Sequence, residues 1–421
     1  MTGVRAAVVL LLMLICLGCG QTYRPVATPI APSPPNPAFS HLVLMISGNG
    51  SNNPGASTSI DVSGDTVVSL STVGLMPVHA ALVQNGTRVY VANSLDDTVS
   101  AFSPSSPAPA TTISLPAGSA PSFVATTEAG TVYVANPGNN TVSAISTTGN
   151  VLISPLYGIP VGTDPVAMAE MPNQQKVYVA SRGNGVGGGS VTSFNSADRS
   201  LNPPIANAAW MSPVSVVARS DSNRVYVLDQ ASGVVSPIDT SSDSVPQCGS
   251  KPCGVSVGVG ANFMLYDPAR NRIYVSNPAN NTVTYLDAST DALSAVVIPV
   301  ANPIAVAALP DGSRAYVSSV AVSGGNVTSR VTVINALDGS VKATIPLNTA
   351  AQVCASNPSE LYIVAAADSS RVYVGNCDAG NVAIVQTLND TLLVELPAPE
   401  SATFSGGTPL PQKPVFLVAG P

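Results

Sequence analysis

Seven tyrosines, each set in an Arg-Val-Tyr-Val phrase or a close variant, recur at Tyr90, Tyr133, Tyr178, Tyr226, Tyr274, Tyr316 and Tyr373. Successive intervals are 43, 45, 48, 48, 42 and 57 residues. A unit of this length made of short β-branched runs is one small sheet, which cannot bury both its faces alone. Packing such units around an axis buries them. The spacing therefore predicts an all-β chain forming a single β-propeller of four-stranded antiparallel blades.

Within each interval four strands can be read. A Pro-led apolar run comes first, as at Pro77, Pro121, Pro165, Pro213 and Pro303, followed by the tyrosine strand. An Asn-rich turn such as residues 136–140 leads to a third run (Thr-Val-Ser-Ala-Ile), and a further turn leads to a fourth, such as residues 295–300. Gly, Pro, Asn and Asp punctuate these runs as tight turns, and no segment sustains a 3.6-residue period. The first run, nearest the axis, carries small residues (Ala80, Ala125, Ala167, Ala305), while the tyrosine lies further out as a spacer between sheets. Upstream, residues 41–47, 58–62 and 66–73 read as three more strands, and Pro414-Val-Phe-Leu-Val supplies a fourth. The expectation is seven Tyr-Val blades plus a composite eighth blade closed by N- and C-terminal strands, which removes exposed edges. Seven blades is the alternative count.

The N-terminus reads as an export segment. Arg5 precedes an apolar run over residues 6–17, shorter than the roughly 20 residues that span a bilayer. The ending Leu-Gly-Cys19 resembles the lipobox of bacterial lipoproteins, although Cys16 stands where that pattern prefers leucine. The resemblance implies cleavage before Cys19, lipid on its sulfur, and, with no aspartate following, an outer-membrane destination facing periplasm or exterior. The division is then a signal peptide over 1–18, a Pro-rich tether over 19–40 and a propeller over 41–421.

Cysteine use agrees with export. Beyond the leader, Cys248, Cys253, Cys354 and Cys377 are an even set suited to an oxidising compartment. The short Cys248-Gly-Ser-Lys-Pro-Cys253 segment suggests a local bridge, leaving Cys354 to meet Cys377. Those two fall in loops that open on the same face of one blade. Neither pair has zinc spacing or a nearby histidine. A net charge of −7 with only 16 basic residues gives no footprint for nucleic acid.

The blade phrase resembles that of the YVTN family of β-propellers, most closely at residues 89–93, 132–136 and 273–277. The resemblance covers residues 41–400 and implies an exported propeller, but no particular chemistry. His41 and His79 have no partner placed by spacing, so acid–base or triad chemistry lacks support. The Gly-rich run at residues 183–189 leads into a strand, not a helix, and reads as a hairpin turn. The turns after the tyrosine strands carry Asp96, Asp97, Asn139, Asn140, Asn184, Asp229, Asn280, Asn281 and Asp378. All are expected on one face of the disc. They are either turn formers or a polar surface for a glycan, protein or peptide partner. No cofactor is expected; calcium could fit such turns, but the chain has no D-x-D-x-D-G loop. The favoured reading is a monomeric, lipid-anchored, non-catalytic binding scaffold. A structural envelope protein is one alternative; a lactonase-like propeller enzyme is the other.

Overall fold

The computed structural model describes residues 41–420, except 107–108, 128, 154, 185–186, 207, 209, 291–294, 352–353, 355–360 and 399–412. The proposed signal peptide, Cys19 and the tether lie outside the described residues. The described chain is all strand and turn, without a helix. It forms eight antiparallel sheets around an axis, an eight-bladed β-propeller.

Blade 1 shows the plan, running outward through Pro77–Leu82, Val89–Asn93, Thr98–Phe102 and Thr111–Ser114. The inner strands of blades 2 to 7 are Phe123–Thr126, Pro165–Glu170, Pro213–Ala218, Phe263–Asp267, Pro303–Ala308 and Ile363–Ala365. Blade 3 has three strands, its third bridged to Leu201. In blade 8 the inner strand is Lys413–Ala419, and Leu42–Gly48, Pro54–Asp61 and Thr66–Leu75 follow outward. Each inner strand packs on the next, and Lys413–Ala419 packs on both Ile363–Ala365 and Pro77–Leu82, so the ring closes. Pairing the two ends of the chain in one sheet spares the ring an open seam.

The core is divided into eight apolar clusters, one in each interface between neighbouring blades. Strand alternation explains this: in blade 1 Tyr90 and Ala92 point to blade 2, whereas Val89 and Val91 point to blade 8. The seven repeated tyrosine rings are fully buried in these interfaces. In blade 8 Leu44 and Ile46 occupy the corresponding side.

The buried phenols also reach across. Turns between inner and second strands, and between third and outer strands, define the lower face; the remaining loops define the upper. At the lower face, Tyr90 donates to Asn150 Oδ1 (2.7 Å), Tyr178 to Asp243 (2.5 Å), Tyr316 to Asp390 (2.6 Å) and Tyr373 to Asp65 (2.9 Å). Tyr133 and Tyr226 donate to the Ser196 and Ala288 carbonyls. Every acceptor sits in the third-to-outer turn of the following blade. A cation two residues before the tyrosine often joins the same turn: Arg88 on Asn150, Lys176 on Asp243, Arg314 on Asp390, Arg371 on Asp65. Burial, and then the carboxylate that each faces, pushes the Tyr178 and Tyr316 phenols well above their ordinary range, so both stay protonated donors.

The two disulfides are Cys248–Cys253, across an exposed hairpin in blade 4, and Cys354–Cys377, joining the loop that enters blade 7 to that blade's own upper turn.

Candidate functional site

The candidate turn residues lie on the upper face, but in separate blades. Most hold a neighbouring loop by its backbone amides. Asp97 accepts from Gly118 N and Ala120 N, both at 2.7 Å. Asn140 accepts from Asp164 N (3.0 Å) and Asn281 from Asn302 N (2.8 Å). These three acceptors have left-handed backbone, with φ of 53°, 58° and 55°. Asn and Asp tolerate that region better than other side-chain-bearing residues. Their targets Ala120, Asp164 and Asn302 are left-handed too, each immediately before a proline; Pro165 and Pro303 open the next inner strand and Pro121 lies two residues before it.

Three others reach backward, to the residues that lead into their own blade from the one before. Asp96 accepts from Leu75 N (2.9 Å), Asp229 from Met211 N (2.6 Å) and Ser212 N (3.2 Å), and Asp378 from Cys354 N (2.8 Å). Asp229 is buried and its second oxygen takes Ser232 N (3.0 Å). Asn139 donates to Ser119 Oγ (3.2 Å) and accepts from Thr141 Oγ1 (2.6 Å), and the Asn280 amide donates to Asn277 Oδ1 (3.1 Å). Asn184 is exposed, its N–H on Gly187 O (3.3 Å) in the Gly-rich hairpin. Among the described residues no three His, Cys, Asp or Glu side chains gather so as to hold a metal ion. These turns therefore stitch blade to blade and make a polar upper face. The signal in the sequence is an Asn or Asp placed 21 to 24 residues before an X-Pro pair: Asp97 to Ala120, Asn140 to Asp164, Asn281 to Asn302.

The axis holds what the small-residue expectation missed. At one level of the inner strands, Tyr362, Phe416, His79 and Phe123 come from blades 7, 8, 1 and 2 in order. Ring centroids are 4.5 Å apart for Tyr362–Phe416, 4.2 Å for Phe416–His79 and 4.0 Å for His79–Phe123. The same level carries Ala167, Ser215 and Ala305 in blades 3, 4 and 6, and one further aromatic, Phe263, in blade 5. An aromatic arc thus spans the junction of the chain ends, where contacts of this kind add about 0.5–1.5 kcal/mol each beyond burial. His79 Nδ1 accepts from Val124 N (3.3 Å), and burial lowers its pKa to about 3. The imidazole is therefore neutral at physiological pH and packs as a ring. The His79 residue is partly buried.

At the lower face, a cleft of about 420 Å³ lies where the inner strands of blades 1 to 3 end. Leu82, Gln84, Thr126, Glu170 and Gln174 line it. The Thr126 hydroxyl is used on Leu82 O (2.8 Å), and the lining supplies one carboxylate and no histidine.

No family model matches the chain, and no curated protein does. Solved structures do. The chain is similar to apo AztD from Citrobacter koseri, with a TM-score of 0.60, 10% identity, and coverage of 90% of this chain and 98% of that one. It is also similar to a candidate 6-phosphogluconolactonase from Bacteroides fragilis, with a TM-score of 0.55, 14% identity, and 92% and 99% coverage. A third likeness is to a candidate 6-phosphogluconolactonase from Bacteroides uniformis, at 0.53, 13%, and 90% and 99%. At these identities the likeness is one of fold: the protein is a β-propeller, and chemistry must be argued from its own residues.

Proposed function

We propose that this chain is an exported YVTN-type propeller, anchored through lipid on Cys19 to the outer membrane, whose ring serves as a non-catalytic binding scaffold. In this reading residues 1–18 are removed, residues 19–40 tether the body, and the upper face meets a glycan or a peptide segment. The observation that carries it is the stitching of the upper face. Asp97, Asn140, Asp229 and Asn281 fix the loops by backbone amides, which makes the surface preorganised for binding rather than mobile. Between the stitches, Asn184 and Asn280 are exposed and carry carboxamides without net charge, the chemistry that recognises hydroxyls and peptide groups.

The test is to probe glycan and peptide arrays with the ring and with an Asn184→Ala/Asn280→Ala variant. Binding to one ligand class, weakened at least tenfold in the variant, supports the reading. Binding untouched by the variant, or turnover of a lactone by the wild-type ring, overturns it. Labelled palmitate incorporated by the wild type and not by Cys19→Ala tests the anchor separately.

A further inference from the structure

The large apolar side chains left in solvent are unevenly placed. Of the twenty exposed among the described residues, eleven lie on the outer strands of blades 5 to 8 or in the turns just before them. Leu337 and Leu388 sit in the lower turns of blades 6 and 7, and are 67% and 83% exposed. Leu392 and Leu393 open the outer strand of blade 7, and Val67 and Val68 that of blade 8, all close to the lower edge. The blades are consecutive, so the four outer strands form one arc of rim. Clustered exposure of this kind marks a contact surface.

Two acids of the arc, Asp390 and Asp65, are ion-paired from within, whereas Asp287 and Asp338, at the lower ends of blades 5 and 6, are exposed and bonded to Ser289 and Ser340. Asp390 is held by Arg314, Lys342 and the Tyr316 phenol; burial works against its charge, but those partners keep its carboxyl below the usual range. Asp65 is held by Arg371 and Tyr373. Glu395 accepts from Asn348. Of the basic residues here, Lys342 has a half-exposed side chain at the edge of the arc, where its ammonium can stay wet while its stem lies on apolar surface.

The chain also enters the ring on this edge. His41 O accepts from Val62 N (3.0 Å), which places the start of the ring beside the lower turn of blade 8, at the foot of the strand bearing Val67 and Val68. Twenty-two residues separate Cys19 from the ring, counting 19 to 40, and an extended tether of that length reaches roughly 70 Å. Such a tether alone sets no orientation for the disc.

We propose that the lower rim of blades 5 to 8 lies against a lipid surface, so that the upper face is turned outward from the membrane. This rests on the anchored reading above. The contact is apolar, with leucine and valine entering the headgroup–acyl boundary, so its strength follows buried apolar area rather than lipid charge.

The ring from residue 38 contains every strand described and closes on itself, so it can be tested without the anchor. It is floated with phosphatidylcholine vesicles in low and in 1 M salt. The expected result is association that survives salt and weakens at least tenfold in Leu388→Ser/Leu392→Ser/Leu393→Ser. A Val151→Ser/Leu156→Ser/Tyr157→Ser control on blade 2, more exposed in total but outside the arc, should float like wild type. Thermal melts of all three confirm folding. No association of the folded wild type, or equal loss in the control, overturns the proposal. So does a dimer in sedimentation that the leucine variant splits, because the arc then belongs to a second copy. Absence of palmitate on Cys19 would refute the anchor and leave the flotation result standing.

Discussion

The Tyr316 phenol donates a 2.6 Å hydrogen bond to Asp390, a residue of the next blade, and Arg314 reaches the same carboxylate at 2.7 Å. The bond links two sheets that share no strand pairing. Repeated with local variation around the lower face, it fixes the angle between neighbours, which packing of valines alone leaves softer. The one repeated tyrosine that departs from this is Tyr274: its hydroxyl makes no well-formed hydrogen bond to the next blade, and the nearby Arg272 directs its donors to the Ala336 and Leu337 carbonyls.

Removing the two hydroxyls should therefore separate the bond from the ring. Tyr316→Phe keeps the packing and loses a charge-assisted donor, at a cost of about 1–2 kcal/mol. Tyr274→Phe removes a buried hydroxyl that satisfies no hydrogen bond by distance and angle, and should leave stability unchanged or raise it by up to about 1 kcal/mol. Urea unfolding of both variants checks the contrast. Equal losses would mean that the phenols act through the ring alone.

Asp267 supplies a second contrast in the same blade. Its Oδ1 accepts from Ala269 N (3.0 Å) and Arg270 N (3.3 Å), but Oδ2 is buried without a partner. Burial raises its pKa, outweighing those two bonds and the nearby arginines. A raised acid is one that the folded state prefers protonated. Its contribution to stability is present below the ordinary carboxylate range and is lost as pH rises through the folded value. Asp267→Asn preserves the Oδ1 acceptor and removes the buried charge. It should be more stable than wild type at pH 7, by up to about 1–3 kcal/mol, with the gain shrinking toward pH 4. Melting curves across that range measure the difference; a variant less stable than wild type at pH 7 would refute the assignment.

The tyrosine period made the architecture legible because a blade is a local object. Four short strands joined by tight turns write their length directly into the chain, and Tyr90 to Tyr316 keep that length nearly constant. Contacts between blades were harder to see. The Tyr178–Asp243 pair is separated by 65 residues, and its acceptor lies in a turn whose Ser-rich sequence looks like any other. The candidate residues of the upper face were visible as turn formers, but not the Asp97-to-Ala120 type of reach, because its target is a backbone N–H that any residue supplies. The aromatic arc was hidden for a related reason. His79, Phe123, Tyr362 and Phe416 are scattered over more than 330 residues, and only closing the ring puts blades 7, 8, 1 and 2 in order.

His79 gives that closure a pH signature. Its pKa falls to about 3 in the folded ring through burial, against roughly 6.5 in an unfolded chain. For a histidine lowered in this way, the unfolded chain binds the extra proton between those two values, so stability is intact above about pH 6.5 and drains away as pH falls toward 3. The loss over that interval is on the order of a few kcal/mol for a group buried between the Phe123 and Phe416 rings. His79→Phe keeps an aromatic ring in the arc and deletes the titration. It also loses the acceptor for Val124 N, which costs about 1 kcal/mol at every pH. The expected result is a variant slightly less stable than wild type at pH 7.5 whose melting temperature changes less down to pH 4.5. At the acid end the two curves should approach or cross. Parallel curves with the same slope would show that the acid sensitivity of the ring arises elsewhere.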